Sequence, residues 1–440
     1  MKFNKWTMGL AAVGVVSLAS AARADEKMSQ VQTALSNTTL SGYVDVSAQW
    51  NLGSQNGLNG VVGNTPGYAY GGINKADGFN LNAVDITLDK PLDESPWAAG
   101  YHVEVMAGPD TPTKFALGNV TALGTKVNTG PITGQLSTPL VGIRQAYVTL
   151  RTPVANSGID WKVGVFDTII GYESSSDPLN PNYTRSYGYS IEPTTHTGIL
   201  GTYKVNDMLS ISAGVANSSN IGTLVQPING RSSLESQKTY MGSIAFTAPD
   251  SAGFMKGATL NLGVINSIDD NVLGHVLGGA LGAAGLNTFG TTSLYAGITV
   301  PTPITALKVG ASFDYLELHN SNQSKVLLVG NPSDDSSWDA ALYANFQAND
   351  KLSFNLRGEY LDDSASVIYL NPSGSKGNAA EEVTATVQYQ LWANVLSRVE
   401  FRWDHVEHTN VFDSQNNTGG LLTPSKDNAF MLALNLIYQF

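Results

Sequence analysis

Charged and polar side chains recur at every second position in several segments of this chain. The densest run is Arg398, Glu400, Arg402 and Asp404, which alternates with Val399, Phe401 and Trp403. Asn355, Arg357 and Glu359 oppose Phe354, Leu356 and Tyr360 in the same way, and Glu382, Thr384, Thr386, Gln388 and Gln390 oppose Val383, Ala385, Val387 and Tyr389. Extended backbone sends successive side chains to opposite faces, so each segment has one polar and one apolar face. Asp85, Thr87, His102, Glu104, Lys162, Lys308 and Asp314 carry the polar set to other segments. Acids and bases on facing walls would set a field across a passage, which is the chemistry of ion and solute permeation.

Catalytic signatures are missing from the sequence: it has no phosphate-binding glycine loop, no serine nucleophile elbow and no zinc-protease helix. In Asp404-His405-Val406-Glu407-His408 an extended backbone puts His405 and Glu407 on one face and His408 on the other, short of the converging ligands that a metal requires. The acid pairs Asp269-Asp270, Asp334-Asp335 and Asp362-Asp363 fall near strand ends and read as a solvated rim. A protein that is not an enzyme, with no cofactor and no metal, is expected.

The elements that must position these side chains are strands. Sixteen alternating segments run through the chain, at 39–50, 81–90, 98–108, 142–152, 159–167, 195–205, 209–218, 238–248, 258–267, 291–302, 306–317, 338–348, 352–362, 381–392, 395–406 and 428–440. Most are longer than the five or six residues typical of soluble sheets and match the roughly 9–11 residues of a tilted membrane-spanning strand. Long and short connections alternate without a break. The short ones, such as Asn206-Asp207-Met208, Pro303-Ile304-Thr305, Asn349-Asp350-Lys351 and Ala393-Asn394, hold the residue types that turns require. This asymmetry predicts an all-β, up-and-down antiparallel transmembrane barrel of about sixteen strands, with short periplasmic turns and long extracellular loops.

Composition agrees. Forty-five glycines, 14% charged residues and a mean hydropathy of −0.06 suit strands whose two faces cancel in the average. Residues 1–24 read as a signal peptide, with Lys2 and Lys5 ahead of the apolar run Met8 to Ala19 and Ala22-Arg23-Ala24 at the cleavage site. Residues 25–37 follow as a short periplasmic segment and 38–440 as the barrel. Cleavage would leave 21 basic against 36 acidic residues, a net charge near −15 that disfavours a nucleic-acid partner. The absence of cysteine excludes disulfides and thiolate chemistry. The glycine-rich apolar segment 272–289 is expected in an outside loop, as a short plug or packed at the barrel mouth.

A Lys or Arg on the lipid face near mid-membrane costs roughly 2–4 kcal/mol, so the charged rows must point into the lumen. A barrel of this size would enclose water. Phe430, Leu432, Leu434, Leu436, Tyr438 and Phe440 share one face of the last segment, a lipid-facing stripe with aromatics at its ends. The stripe resembles the C-terminal signal read by the assembly machinery of outer-membrane barrels. A Gram-negative outer membrane, with its lipids and lipopolysaccharide as surroundings, is the expected location.

Val163-Gly164-Val165-Phe166-Asp167-Thr168, Gly171-Tyr172-Glu173, Asn180-Pro181-Asn182-Tyr183-Thr184-Arg185-Ser186, Thr195-His196-Thr197-Gly198 and Val205-Asn206-Asp207 form one recognisable stretch. It resembles the β-barrel porin family described as OmpL-like, and the resemblance implies an outer-membrane porin with no assigned substrate. General porins fold their third outside loop into the lumen. By that similarity loop 168–194 would form a constriction, with Glu173, Asp177, Arg185 and Glu192 at the eyelet, and a homotrimer is expected by the same analogy. The leading function is passive diffusion of small hydrophilic solutes and ions. A selective sugar or peptide channel, in which Tyr43, Tyr147 and Tyr343 stack a substrate, is one alternative; a surface adhesin with a closed lumen is another.

Overall fold

A computed structural model describes residues 38–52, 77–111, 141–154, 157–219, 238–270, 289–320, 335–365, 378–408, 410–412, 415–416, 422–423 and 425–440. The strands are β1 (Thr39–Leu52), β2 (Gly78–Lys90), β3 (Ala99–Ala107), β4 (Val141–Thr152), β5 (Ile159–Asp167), β6 (Thr195–Lys204), β7 (Leu209–Ala216), β8 (Thr239–Thr247), β9 (Thr259–Asp270), β10 (Phe289–Pro301), β11 (Leu307–Asn320), β12 (Asp335–Gln347), β13 (Leu352–Asp363), β14 (Asn378–Trp392) and β15 (Val395–Val406). A two-residue hairpin, β16 (Gln415–Asn416) and β17 (Leu422–Thr423), precedes the last long strand, β18 (Asn428–Gln439). Apart from that hairpin, each strand pairs antiparallel with its sequence neighbour, and β18 pairs with both β15 and β1 to close a sixteen-stranded barrel. The signal-peptide and periplasmic segments expected at 1–37, and the glycine-rich residues 272–288, lie outside the described residues.

Closure leaves no sheet edge, so every strand's backbone polar groups face a partner, as a span through hydrocarbon demands. The two faces are sharply different. On β13, Ser353, Asn355, Arg357 and Glu359 are buried while Phe354 and Leu356 are exposed, and on β15 Arg398, Glu400 and Arg402 are buried while Val399 and Phe401 are exposed. The outer wall is a belt of exposed apolar side chains, among them Ile244, Leu262, Leu294, Phe313, Leu342 and Leu434. In water such a surface would be an aggregation liability; against acyl chains it is the solvated side.

The short turns are built by local side chains. Asn206 Oδ1 accepts from the amides of Met208 (2.8 Å) and Leu209 (2.9 Å), and Asn349 Oδ1 accepts from those of Lys351 (3.0 Å) and Leu352 (3.1 Å). Asn394 takes a φ of 66° between β14 and β15, a conformation that Asn tolerates better than most residues. Several strands outrun their sequence segments: β2 starts at Gly78 instead of Leu81 and β14 at Asn378 instead of Glu381. Pairing there continues where the polar-apolar alternation has faded.

Candidate functional site

The segment between β5 and β6, residues 168–194, lies inside the barrel. Its ends are tied by Thr168 N donating to Thr194 O (2.9 Å), and between them it contacts inward-facing side chains on opposite walls. It begins apolar: Ile169, Ile170 and Tyr172 pack with Phe166, Leu200, Met241, Ile265, Tyr295 and Tyr343. Tyr172 stacks on Tyr343 with ring centroids 4.1 Å apart, and its hydroxyl lies 3.0 Å from Thr299 Oγ1. Burial raises the Tyr172 phenol above its ordinary pKa, so it stays a neutral hydrogen-bonding group. A methyl group at Gly310 would collide with that hydroxyl, so the small residue there gives the ring room.

The middle of the loop is gripped by guanidinium and carboxylate groups of β13, β14 and β15. Arg357 Nη1 donates to Glu173 Oε1 (2.8 Å) and to the carbonyl of Thr184 (3.0 Å), and its Nε donates to Glu382 (3.1 Å). Arg402 Nη1 donates to the carbonyl of Arg185 (2.6 Å), and its Nη2 bonds Asp404 (2.7 Å). Arg398 donates to the carbonyls of Asp177 (3.1 Å) and Asn180. Carboxylates answer with the opposite polarity: Glu400 accepts from the amides of Tyr183 (2.5 Å) and Thr184 (2.9 Å), and Glu359 accepts from the amide of Tyr187 (2.7 Å). Loop backbone that would otherwise be unsatisfied inside the barrel thus finds charged partners on the wall.

Within the loop, a 3-10 turn at Asp177–Leu179 and a short helix α1 (Tyr187–Ile191) set its shape. Ser186 caps α1 by accepting from Tyr189 N (3.0 Å). Arg185 pairs with Asp177 at 2.8 Å; burial works against its charge, Asp177, Tyr189 and Glu173 together more than compensate, and its pKa is raised. Tyr187 donates to Asp404 (2.6 Å) and lies under the Arg402 guanidinium.

A second charged group lines β2 to β5. Arg144 bonds Glu104 and, at 2.7 Å, Asp167; His102 reaches Asp89 at 2.9 Å and stacks on Tyr147, and Lys162 stands 4.9 Å over the same ring. Asp85 is buried on the inner face of β2.

Of the residues singled out in the sequence, the structure gathers Glu173, Asp177, Arg185, Arg357, Glu359, Arg398, Glu400, Arg402 and Asp404 around the loop, and Asp85, Glu104 and Lys162 on the facing wall. Asp314 is buried against α1, and Lys308 stands apart and exposed at the turn end of β11. Tyr43, Tyr147 and Tyr343 point inward, but the Tyr43 hydroxyl accepts from the Asp177 amide (3.5 Å), and the rings of Tyr147 and Tyr343 meet His102 with Lys162, and Tyr172. His408 approaches Glu407 at 3.5 Å, on a turn outside the barrel strands.

Two inner-face residues carry no signal in the charge pattern of the sequence. The β3–β4 register slips between Glu104 and Val105, so Arg144 and Gln145 both turn inward; strict alternation sends Arg144 to the lipid. Asp339 follows the period of two on β12 but stands alone among Ser337, Ala341 and Tyr343, so no charged row marks it.

A closed sixteen-stranded barrel with an apolar belt, a polar interior and an inserted third long loop defines a porin-type outer-membrane channel. The family model described as "Putative beta-barrel porin-2, OmpL-like" matches residues 37–440, and the chain belongs to that family. Solved structures share the fold at low identity. OmpF of Salmonella typhi in complex with daunomycin is 13% identical, with a TM-score of 0.54 over 94% of this chain and 100% of the other. The outer membrane channel DcaP of Acinetobacter baumannii is 12% identical, at 0.53 over 94% and 100%. The trimer form of OmpT from Vibrio cholerae is 11% identical, at 0.52 over 92% and 99%. Comparison with curated proteins gave no match.

Proposed function

We propose that this channel passes small hydrophilic solutes and ions by passive diffusion, and that loop 168–194 sets its narrowest section. The observation that carries this reading is the loop itself: it crosses the inside of the barrel and is fastened to β13–β15 by Arg357, Arg398 and Arg402. Such an array fixes the loop's position while solutes move past it. The acidic excess of the sequence favours cations at the mouth. Export by the signal peptide, insertion through the C-terminal strand ending at Phe440, a lipopolysaccharide-bearing membrane and a homotrimer complete the reading, the last supported by the trimer form of a structural neighbour.

Reconstitution of the full chain in planar bilayers tests it. Stepwise ohmic conductance with reversal potentials favouring cations is expected; folded protein that gives no steps would sink it. A selective channel for sugars or peptides is the second reading, favoured by how completely the loop buries the charged side chains of β13 and β15. Liposome swelling that prefers one solute among several of equal size would support it over the first.

A further inference from the structure

Three carboxyl groups meet at the far end of the same loop with no cation between them. Asp314 on β11 and Asp339 on β12 lie directly opposite each other in the strand register, 2% and 0% exposed. Among the described residues, no donor outside this cluster of acids reaches any of their four carboxylate oxygens. Both are aimed at α1: a Cβ built on Gly188 would stand 2.7 Å from Asp314 Oδ2 and 3.0 Å from Asp339 Oδ2. The third group, Glu192, caps the C-terminal end of α1 and is in side-chain hydrogen-bond contact with Asp314.

Two carboxylates are both acceptors, so a hydrogen bond between them requires that one carry a proton. Like charges directly opposite on neighbouring strands, buried and unpaired, are otherwise strongly unfavourable. The surrounding groups offer no substitute. Tyr295 of β10 and Tyr343 of β12 have hydroxyls without hydrogen-bond partners among the described residues. On β13 and β14, Arg357 is engaged by Glu173 and Glu382, and Glu359 and Glu382 add further negative charge. From the loop, Tyr172 bonds Thr299, Glu173 bonds Arg357, and the amide of Tyr172 serves Glu192. No three of these acids among the described residues are spaced to hold a metal ion.

We propose that loop 168–194 is latched to the barrel wall by a proton shared among Glu192, Asp314 and Asp339, so that alkaline conditions release the α1 end of the loop and widen the passage. The proposal rests on the reading of this loop as the narrowest section. Burial, with Glu173 and Asp339 adding to it, pushes the Glu192 carboxyl from 4.5 up to about 8. The folded value lies above the free one, so the contribution of the Glu192 proton to the seat is fully present below 4.5, weakens as pH rises, and is lost as pH passes about 8.

The test is single-channel recording of the full-length protein from about pH 6 to about pH 10, a range that includes the free histidine value and stops short of the free lysine value. Above about pH 8 the wild type is expected to spend at least ten-fold more time in a wider conducting state, about the change that one pKa unit represents. Asp314→Asn with Asp339→Asn, and separately Glu192→Gln, should abolish the transition while conducting at neutral pH. Chymotrypsin gives a second readout: cleavage after the buried Tyr189 of α1 should rise with pH in the wild type relative to Glu192→Gln. A pH-independent wild type, variants that keep the transition, or a transition removed by a chelator at fixed pH would each overturn the latch. The first of these with normal neutral conductance leaves the porin reading standing; absence of conductance at every pH removes both.

Discussion

The loop inside the barrel is held at two places by opposite chemistry. Over β13–β15, Arg357 and Arg402 meet Glu173, Glu382, Asp404 and loop carbonyls, so buried charges of both signs are matched and hydrogen-bonded. Over β11–β12, Asp314 and Asp339 meet α1 and Glu192, with no basic side chain or amide donating to them among the described residues. Matched ions are costly to break, because removing one partner strands the other in a dry site, whereas unmatched ones are costly to keep ionised. The same loop therefore has one seat that ordinary pH changes should leave alone and one that responds to protons.

The comparison can be broken most forcefully at Arg357. Arg357→Met should strand Glu173 and free the carbonyl of Thr184, leaving that of Arg185 to Arg402 alone, and destabilise the folded protein by about 3–5 kcal/mol. The expected signs are a lower thermal midpoint in detergent and a larger, noisier conductance at neutral pH. Unchanged stability would mean that the guanidinium seat contributes little. A smaller effect is expected at the other seat from Gly188→Ala, whose methyl group enters the space between α1 and the two carboxylates, at a cost of about 1–3 kcal/mol. It should shift the alkaline transition without altering the grip of Arg357, and a double mutant with Arg357→Met should be near additive. Smallest is Tyr172→Phe, which keeps the stack on Tyr343 and loses the contact with Thr299, worth about 0.5–1.5 kcal/mol in thermal unfolding. An effect as large as that of Arg357→Met would place the main anchor in the apolar end of the loop.

Much of the wall was legible because a membrane barrel imposes a period of two with a heavy penalty for error. Arg398, Glu400, Arg402 and Asp404 could face only inward once Val399 and Phe401 were assigned to lipid. Arg144 was not legible, since one extra residue in β4 reverses its side and leaves no mark in the hydropathy pattern. Asp339 was missed for another reason: a single acid among small and aromatic neighbours looks like nothing until Asp314 stands opposite it.

The chain's sequence by itself determined the number of strands, the identity of their two faces and the alternation of turns and loops, because these follow from local spacing against two solvents. Which inward charges are partnered and which are left alone was decided only by the tertiary structure. Burial and pairing depend on how far each strand slides past the next and on where a loop of polar sequence comes to rest, and both are set by contacts between residues far apart in the chain.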